Sequence, residues 1–282
     1  MKKVVLNLKR FDVEKEFGGI NVLAPIEQWA TTIIETLDSC MTPYVDQAEV
    51  TIFFPEAHLL PAKQAIGAAQ NKIRLGCQGV YRKNISPGGN FGAYTTNLPA
   101  AAAKNLGCDS VIIGHCEERA DLIGVLEMAG VTDFASVNRI LNQEILAAQE
   151  SGLSVLYCVG EALTDRENWK HVISEQLKAG LKDVDRDNLT LAYEPIWAIG
   201  PGKMPPSATE ISEIAAFVKE ITDGLPLIYG GGLKLDNAPQ LASLSDIDGG
   251  LIALTRFSGE IGFYPTEFCE IIDAYTKEVA TK

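Results

Sequence analysis

The chain has 282 residues, of which 46% are hydrophobic, and its formal net charge at pH 7 is −13. This composition provides enough apolar residues for a large core, and the length fits two ordinary domains or one α/β barrel, which routinely reaches ~250 residues. The acidic balance argues against nucleic acid or an anionic membrane as a partner, because both are bound through basic patches. A small anionic substrate stays compatible with it, because a local group of lysines and amides can override the global charge.

The N-terminal residues do not predict a signal peptide or a membrane anchor. Lys2 and Lys3 are followed by a short apolar run, Val4 to Leu6, which is far shorter than a secretory h-region. No apolar run approaches ~18 residues, so we expect no membrane span. Six cysteines are scattered without paired spacing, which predicts reduced thiols in a cytoplasmic protein; they are Cys40, Cys77, Cys108, Cys116, Cys158 and Cys269.

In chain order, eight short β-branched runs recur, at residues 4–9, 50–55, 73–80, 110–115, 153–160, 189–196, 225–232 and 249–256. The runs are continuously apolar, which is typical of strands buried on both faces. Helical patterns lie between most of them, most clearly at 137–152 and 207–224, and both of these end at a glycine. The alternation predicts a parallel sheet with crossover helices.

Eight is the number of strands that closes a (β/α)8 barrel, and we predict that residues 1–282 form a single domain of this class. A doubly wound open sheet is the alternative, but no GxGxxG follows the first strand. One long, glycine-rich loop, YRKNISPGGNFG at 81–92, follows the third strand.

Barrel active sites lie at the C-terminal ends of the strands, so the residues at which each apolar run stops are the candidates. These are Asn7, Lys9, Gln78, His115, Cys116, Glu117, Gly160, Glu161, Glu194, Gly230, Gly231, Gly232, Thr255 and Arg256. Asn7 and Lys9, two apart on a strand, are expected to point to the same side. The convergence predicts a constellation of lysine, histidine and glutamate. No clustered set of metal ligands is predicted, since His58 and His171 stand alone.

Five segments resemble the triosephosphate isomerase family in order and spacing. They are LNLK (6–9), VIIGHCEERAD (111–121), LYCVGEAL (156–163), LAYEPIWAIGPGK (191–203) and IYGGGL (228–233). The corresponding family patterns are approximately NWKMN, VIxGHSERR, CVGE, AYEPVWAIGTG and YGGS, with a glycine pair after the eighth strand. The resemblance covers essentially the whole chain. It implies a cofactor-independent aldose–ketose isomerase of glycolysis and gluconeogenesis, which interconverts glyceraldehyde 3-phosphate and dihydroxyacetone phosphate through an enediol(ate).

Carried over residue by residue, the resemblance implies that Glu194 is the catalytic base and that His115 is a neutral electrophile. Lys9 and Asn7 correspond to the pair that orients the substrate, and Glu117 to the carboxylate that positions Lys9. The chemistry is consistent with these residue types, because the reaction needs a base for the carbon-bound proton and donors at the two oxygens where charge develops.

The resemblance further implies that residues 195–203 form a lid, stiff at its entry and jointed by glycines, that excludes water from the bound substrate. Gly200 in this segment, together with Gly231 and Gly232, is expected to contact the substrate. The lid departs from the family pattern at Pro201, where the family has threonine.

Other departures surround the expected phosphate site. Cys116 and Gly232 stand where the family has serine, and Ala253 with Leu254 replaces the glycine pair that grips phosphate. Backbone N–H groups bind phosphate best without a Cβ in the way, so we expect a remodelled grip, with Arg256 as a candidate contact.

The substrate and the assembly stay open at this stage. A longer ketose phosphate, such as a tetrulose phosphate, is an alternative to the three-carbon pair. A non-catalytic binding barrel is an alternative of another class, against which the intact Asn7, Lys9, His115 and Glu194 argue. The segment GAYTTN (92–97) resembles the family's dimerisation loop, which implies a homodimer in which Thr95 reaches the partner's site.

Overall fold

The strands of the computed structural model, which describes residues 1–69, 72–133, 135–200 and 202–277, close into a parallel barrel in chain order. They are β1 (Lys2–Asn7), β2 (Ala48–Phe54), β3 (Arg74–Cys77), β4 (Ser110–Ile113), β5 (Ser154–Val159), β6 (Leu189–Tyr193), β7 (Leu227–Tyr229) and β8 (Gly249–Ile252). Each predicted run overlaps one of these strands, and β8 pairs with β1 to complete the ring. The predicted (β/α)8 class is confirmed, and the open doubly wound sheet is wrong.

Helices surround the barrel between consecutive strands and after the last. Their bounds are α1 (Trp29–Met41), α2 (Leu59–Ala68), α3 (Ala100–Asn105), α4 (Cys116–Met128), α5 (Ala135–Glu150), α6 (Trp169–Gly180), α7 (Ala208–Ile221), α8 (Ala238–Ser243) and α9 (Pro265–Lys277). The two helices predicted most clearly from the sequence correspond to α5 and α7. No helix in the described part of the chain has the length and apolar character needed to cross a bilayer.

Two layers of core explain why the strand sequences are continuously apolar. One face of each strand packs against the helices, and the other face fills the barrel interior. The interior cluster consists of Val5, Phe53, Ile112, Leu156, Cys158, Ala192, Ile228 and Leu251, all buried. Because side chains fill the interior, a substrate has access only to the ends of the barrel.

Cys40 in α1 and Cys269 in α9 form a disulfide, with their Cα atoms 6.3 Å apart. The expectation of six reduced thiols is therefore wrong for this pair, whereas Cys77, Cys108, Cys116 and Cys158 are free. The two cysteines are 229 residues apart in sequence, so their spacing gave no signal. Closure of the barrel brings the first and last helices side by side.

Candidate active site

A pocket of about 400 Å³ lies at the mouth formed by the C-terminal strand ends. It is lined by Lys9, Phe11, His115, Glu117, Glu194, Ala198, Ile199, Gly200, Gly230, Gly231, Gly232, Lys234, Leu251, Ala253, Leu254 and Phe257. A cavity of about 40 Å³ at the opposite end of the barrel, beside Lys3 and Arg74, is too small for a sugar phosphate. Residues that follow the C-terminal ends of β1, β4, β6 and β7 therefore meet at one pocket, as the sequence predicted.

Glu194 follows the last residue of β6, and its carboxylate is buried at the floor of the pocket. Its Oε2 accepts a hydrogen bond of 2.9 Å from the backbone N–H of Cys116. Its Oε1 lies 3.1 Å from His115 Nε2, but it has no hydrogen-bond partner among the residues that the structure describes. Burial raises the pKa of Glu194 to about 8, and the Cys116 N–H opposes this rise. One oxygen of this carboxylate is thus available to accept a proton.

His115 sits at the N-terminus of α4, where it is the N-cap residue. The backbone N–H of Glu117 donates to His115 Nδ1 at 3.3 Å, which leaves the ring proton on Nε2, the nitrogen nearer Glu194. Burial and then the charge of Lys9 lower the pKa of His115 to about 4, partly opposed by Glu117. The positive end of α4 acts in the same direction. The imidazole is therefore neutral at pH 7 and can donate from Nε2.

Lys9 enters the pocket through an unusual backbone conformation. Strand β1 ends at Asn7, and Lys9 has φ 44°, in the left-handed region that disfavours lysine. Asn7 Oδ1 accepts from the Lys9 N–H at 3.1 Å, and Gln78 Nε2 donates to the Lys9 carbonyl at 2.9 Å. These contacts hold Lys9 Nζ 2.6 Å from Glu117 Oε1. The expectation that Lys9 lies on the strand with Asn7 is wrong, because the chain turns after Asn7.

The structure brings together most of the residues that the sequence singled out for the site. Lys9, His115, Glu117, Glu194, Gly200, Gly231 and Gly232 line the pocket. Asn7 supports the backbone of Lys9 from beneath, and its direct contact with substrate stays a prediction.

The lid segment begins as a single 3₁₀ turn, Ile196–Ala198, directly after Glu194 and Pro195. The indole Nε1 of Trp197 donates to Glu161 Oε1 at 2.8 Å, and the Tyr193 hydroxyl donates to the same oxygen at 3.0 Å. Beyond this anchor Gly200, with φ 113°, and residues 202–205 are exposed. The sequence named Glu161 as a strand end without giving it a role, because its partner is 36 residues away. Pro201 lies outside the described residues.

Trp197→Phe is expected to loosen the entry of the lid, because it removes the indole donor and leaves Glu161 with one donor fewer. A net hydrogen bond to a charged group contributes roughly 1.5–3 kcal/mol, so amide exchange across residues 195–203 should accelerate about tenfold or more in the free protein. Hydrogen exchange with and without phosphoglycolate measures this effect and the predicted protection on binding. Trp169→Phe, which changes a tryptophan of α6 in edge-to-face contact with Phe217, is the matched control. If residues 195–203 exchange at the same rate in both variants, the hydrogen bond from Trp197 to Glu161 does not anchor the lid.

The expected phosphate end of the pocket combines Gly231 and Gly232 with Ala253 and Leu254. A Cβ at Gly231 would come within 2.2 Å of the Tyr229 hydroxyl oxygen, and Gly232 has φ 99°, so both positions require glycine. Ala253 and Leu254, which replace the family's glycine pair, line the same pocket, and their effect on phosphate binding stays a prediction.

Arg256 does not take part in this site. Its Nε donates to Glu267 Oε1 at 2.9 Å, and its guanidinium lies 3.9 Å from the centre of the Tyr264 ring. Arg256 is also absent from the described lining of the pocket. Arg256, the candidate phosphate contact, is instead paired with Glu267 of α9.

One group of potential metal ligands exists among the described residues. The ligand atoms of His115, Cys116 and Glu194 lie within 4.8 Å of one another. The sequence predicted no such cluster, because the three residues come together only when the C-terminal ends of β4 and β6, which flank β5, meet at the mouth of the barrel. Glu194 Oε2 is already bonded to the Cys116 N–H, and His115 Nδ1 to the Glu117 N–H. The absence of a functional metal stays a prediction.

A buried carboxylate whose pKa lies near neutrality, facing a neutral imidazole and a lysine, is suited to moving a proton between neighbouring carbon atoms. The fold and the site together define an enzyme of the sugar isomerase class.

Comparisons with known proteins agree with this class. The family model described as triosephosphate isomerase matches residues 25–275. The chain is 32% identical over 262 residues to a triosephosphate isomerase of Porphyromonas gingivalis, which covers 88% of this chain and 94% of the relative. It is 35% identical over 226 residues to one of Leptospira borgpetersenii, which covers 74% and 82%. This chain belongs to the triosephosphate isomerase family.

The solved structures add support for the fold. The crystal structure of triosephosphate isomerase from Bartonella henselae superposes with a TM-score of 0.72, at 24% identity, and the match covers 97% of this chain and 98% of that chain. At this level of identity the likeness concerns the barrel and not its substrate.

Proposed function

We propose that this protein interconverts glyceraldehyde 3-phosphate and dihydroxyacetone phosphate, with Glu194 as the base. The observation that carries the proposal is the buried Glu194 Oε1, which has no hydrogen-bond partner among the described residues and lies 3.1 Å from His115 Nε2. Family membership supports the three-carbon pair. Neither the longer ketose phosphate nor the non-catalytic barrel has support from the comparisons.

In this mechanism Glu194 takes a proton from the carbon next to the carbonyl and returns it to the neighbouring carbon. As the C–H bond breaks, its electrons form the enediolate double bond and negative charge moves to the carbonyl oxygen. The hydroxyl proton on the carbon that lost hydrogen passes to this oxygen, so that a carbonyl forms at that carbon when Glu194 returns its proton to the neighbouring carbon. His115 stabilises that oxygen by donating from Nε2, and Lys9 Nζ supplies positive charge on the same side of the pocket. The carbons exchange oxidation states within one molecule, so the step needs no external electron carrier.

A raised pKa suits the base to this task. A base is most efficient when its pKa lies near the working pH, because it is then both ionised and able to hold the proton. Burial raises the pKa of Glu194 to about 8. The same burial keeps water from the intermediate, and closure of the lid over residues 195–203 would extend this protection, since an enediol phosphate otherwise loses phosphate.

A direct assay tests the proposal. Purified protein is incubated in D₂O with glyceraldehyde 3-phosphate, dihydroxyacetone phosphate and a tetrulose phosphate separately, and the products are followed by NMR. We expect turnover of the triose phosphates, with solvent deuterium at the carbon that accepts the proton, and loss of both signals in Glu194→Gln. Absence of turnover would contradict the assignment, and preferential use of the tetrulose phosphate would favour the longer substrate.

The proposal includes a homodimer built through the loop between β3 and α3. This loop is held by its own contacts, such as the edge-to-face rings of Tyr81 and Tyr94 at 5.4 Å, whereas Phe91 is 91% exposed and Thr95 is exposed. Exposed aromatic residues on an ordered loop are typical of an interface. We expect sedimentation to show a dimer for the wild type and a weakened dimer for Phe91→Ser.

We treat residues 1–282 as one barrel domain, which the family match over 25–275 supports.

A cytoplasmic location fits a sugar-phosphate substrate and the four free cysteines of the described residues. Cell fractionation tests the location.

Restoring the family's glycines by Ala253→Gly with Leu254→Gly should strengthen the binding of triose phosphate. Removing both Cβ atoms opens the backbone N–H groups to the phosphate, and a charge-assisted hydrogen bond contributes ~1.5–3 kcal/mol, so KM should fall about tenfold. Steady-state kinetics measure KM and kcat for the wild type and the double variant, with Leu251→Ala as a control for a changed pocket wall. An unchanged KM would mean that Ala253 and Leu254 only pack the rim of the barrel.

A further inference from the structure

The expected phosphate end of the pocket contains a basic side chain to which the motifs assign no role. Among the described residues that line the pocket, the basic side chains are those of Lys9, His115 and Lys234. Lys9 is paired with Glu117, and His115 is neutral. Lys234 lies two residues after Gly232 and lines the same pocket.

Lys234 is held in place by its backbone and by an aromatic ring. Its N–H donates to Asn237 Oδ1 at 2.7 Å, and Asn237 Nδ2 donates to the Gly232 carbonyl at 2.9 Å. Its Nζ lies 4.0 Å from the centre of the Phe257 ring. Within the described ranges no carboxylate forms an ion pair with it. The side chain is therefore positioned, but its charge is not neutralised by a carboxylate.

The position of Phe257 follows from a segment after β8. An antiparallel bridge joins Arg256 to Gly262, and Arg256 is fixed by Glu267 and Tyr264. The ring next to Arg256 thus reaches the pocket, and a cation over a ring face is attracted to it without losing its charge. In this way the segment that pairs Arg256 with Glu267 also places the Phe257 ring against the ammonium of Lys234.

We propose that Lys234 binds the phosphate of the substrate, at the end of the pocket opposite the reacting carbons, and that Phe257 holds the ammonium there. This inference rests on the proposed function. An ammonium at this wall offsets the poorer approach to backbone N–H groups at Ala253 and Leu254. It also provides local positive charge for a dianion in a protein whose net charge is −13.

Lys234→Met keeps the apolar stem and removes the charge, so we expect KM for glyceraldehyde 3-phosphate and the inhibition constant of phosphoglycolate to rise about tenfold or more, with kcat within about threefold of the wild type. Lys234→Arg should restore most of the binding. Lys178→Met, on the exposed face of α6, removes the same charge far from the pocket and should change neither constant. Phe257→Leu should weaken phosphoglycolate binding in the same direction but by less.

Calorimetry with phosphoglycolate and with inorganic phosphate separates this inference from the proposed function, because it needs no turnover. If the wild type lacks isomerase activity but Lys234→Met binds these ligands more weakly than the wild type does, the phosphate contact is supported and the proposed reaction is contradicted. Equal dissociation constants for wild type and Lys234→Met would overturn the inference even in an active isomerase. A fall in kcat with unchanged binding would overturn the inference as well, because Lys234 would then position active-site groups and would not contact the phosphate.

Discussion

Glu194→Asp is expected to lower kcat on triose phosphates by about 10²-fold while the barrel stays folded, because the shorter side chain retracts the carboxylate by roughly 1 Å. Glu194→Gln removes the base, and the loss should reach about 10³–10⁴-fold. Progress curves in D₂O measure both variants, because loss of deuterium incorporation identifies the proton transfer as the affected step. Glu213→Asp, at an exposed carboxylate on α7, is the control and should keep full activity. Undiminished activity in Glu194→Asp would exclude Glu194 as the base.

The pH dependence provides an independent check on this carboxylate. The pKa of Glu194 is about 8, so kcat/KM should rise with pH and level off above about 8. A folded-state pKa that is raised above the unfolded value also means that stability from this group is present at low pH and is lost as pH rises through about 8. Glu194→Gln does not titrate, so its free energy of unfolding should lack this decline. The variant therefore separates loss of the base from loss of the fold.

His115→Gln should lower kcat by about 10²–10³-fold, since it removes the preorganised donor at the oxygen where enediolate charge develops. Glutamine retains an amide N–H of similar reach, so KM should change less than kcat. Single-turnover measurements on glyceraldehyde 3-phosphate test whether the chemical step carries the loss. His58→Gln is the matched control, because His58 is buried beside Asp12, outside the pocket, at an Nε2–Oδ2 distance of 3.2 Å.

The pH profile distinguishes a neutral imidazole from an imidazolium. The pKa of His115 is about 4, so its titration should leave activity unchanged above about pH 5, and His115→Gln should keep the rise toward pH 8 that belongs to Glu194. A decline of wild-type activity through pH 6–7 that disappears in His115→Gln would show that the charged ring is the active form.

Part of this protein's structure follows directly from local sequence patterns. Continuous apolar runs alternate with amphipathic helical patterns, and these periodicities report which faces are buried without reference to distant residues. They predicted the eight strands, the two clearest helices and hence the barrel. The rule that barrel sites lie at the C-terminal strand ends then selected Lys9, His115 and Glu194, which the structure places around one pocket.

What only the tertiary structure decided is how these groups bond to one another across the mouth of the barrel. The N–H of Cys116 and the carboxylate of Glu194 are 78 residues apart, and that bond, with burial, sets which oxygen of the base is available. The tautomer of His115 depends on where α4 begins, and the Cys40–Cys269 pair depends on closure of the ring. Periodicity cannot supply these contacts, because each joins residues that no local pattern relates. The sequence therefore determined the barrel and the candidates for the reacting groups, whereas tertiary packing determined the protonation of these candidates and left Lys234 without a carboxylate partner within the described residues.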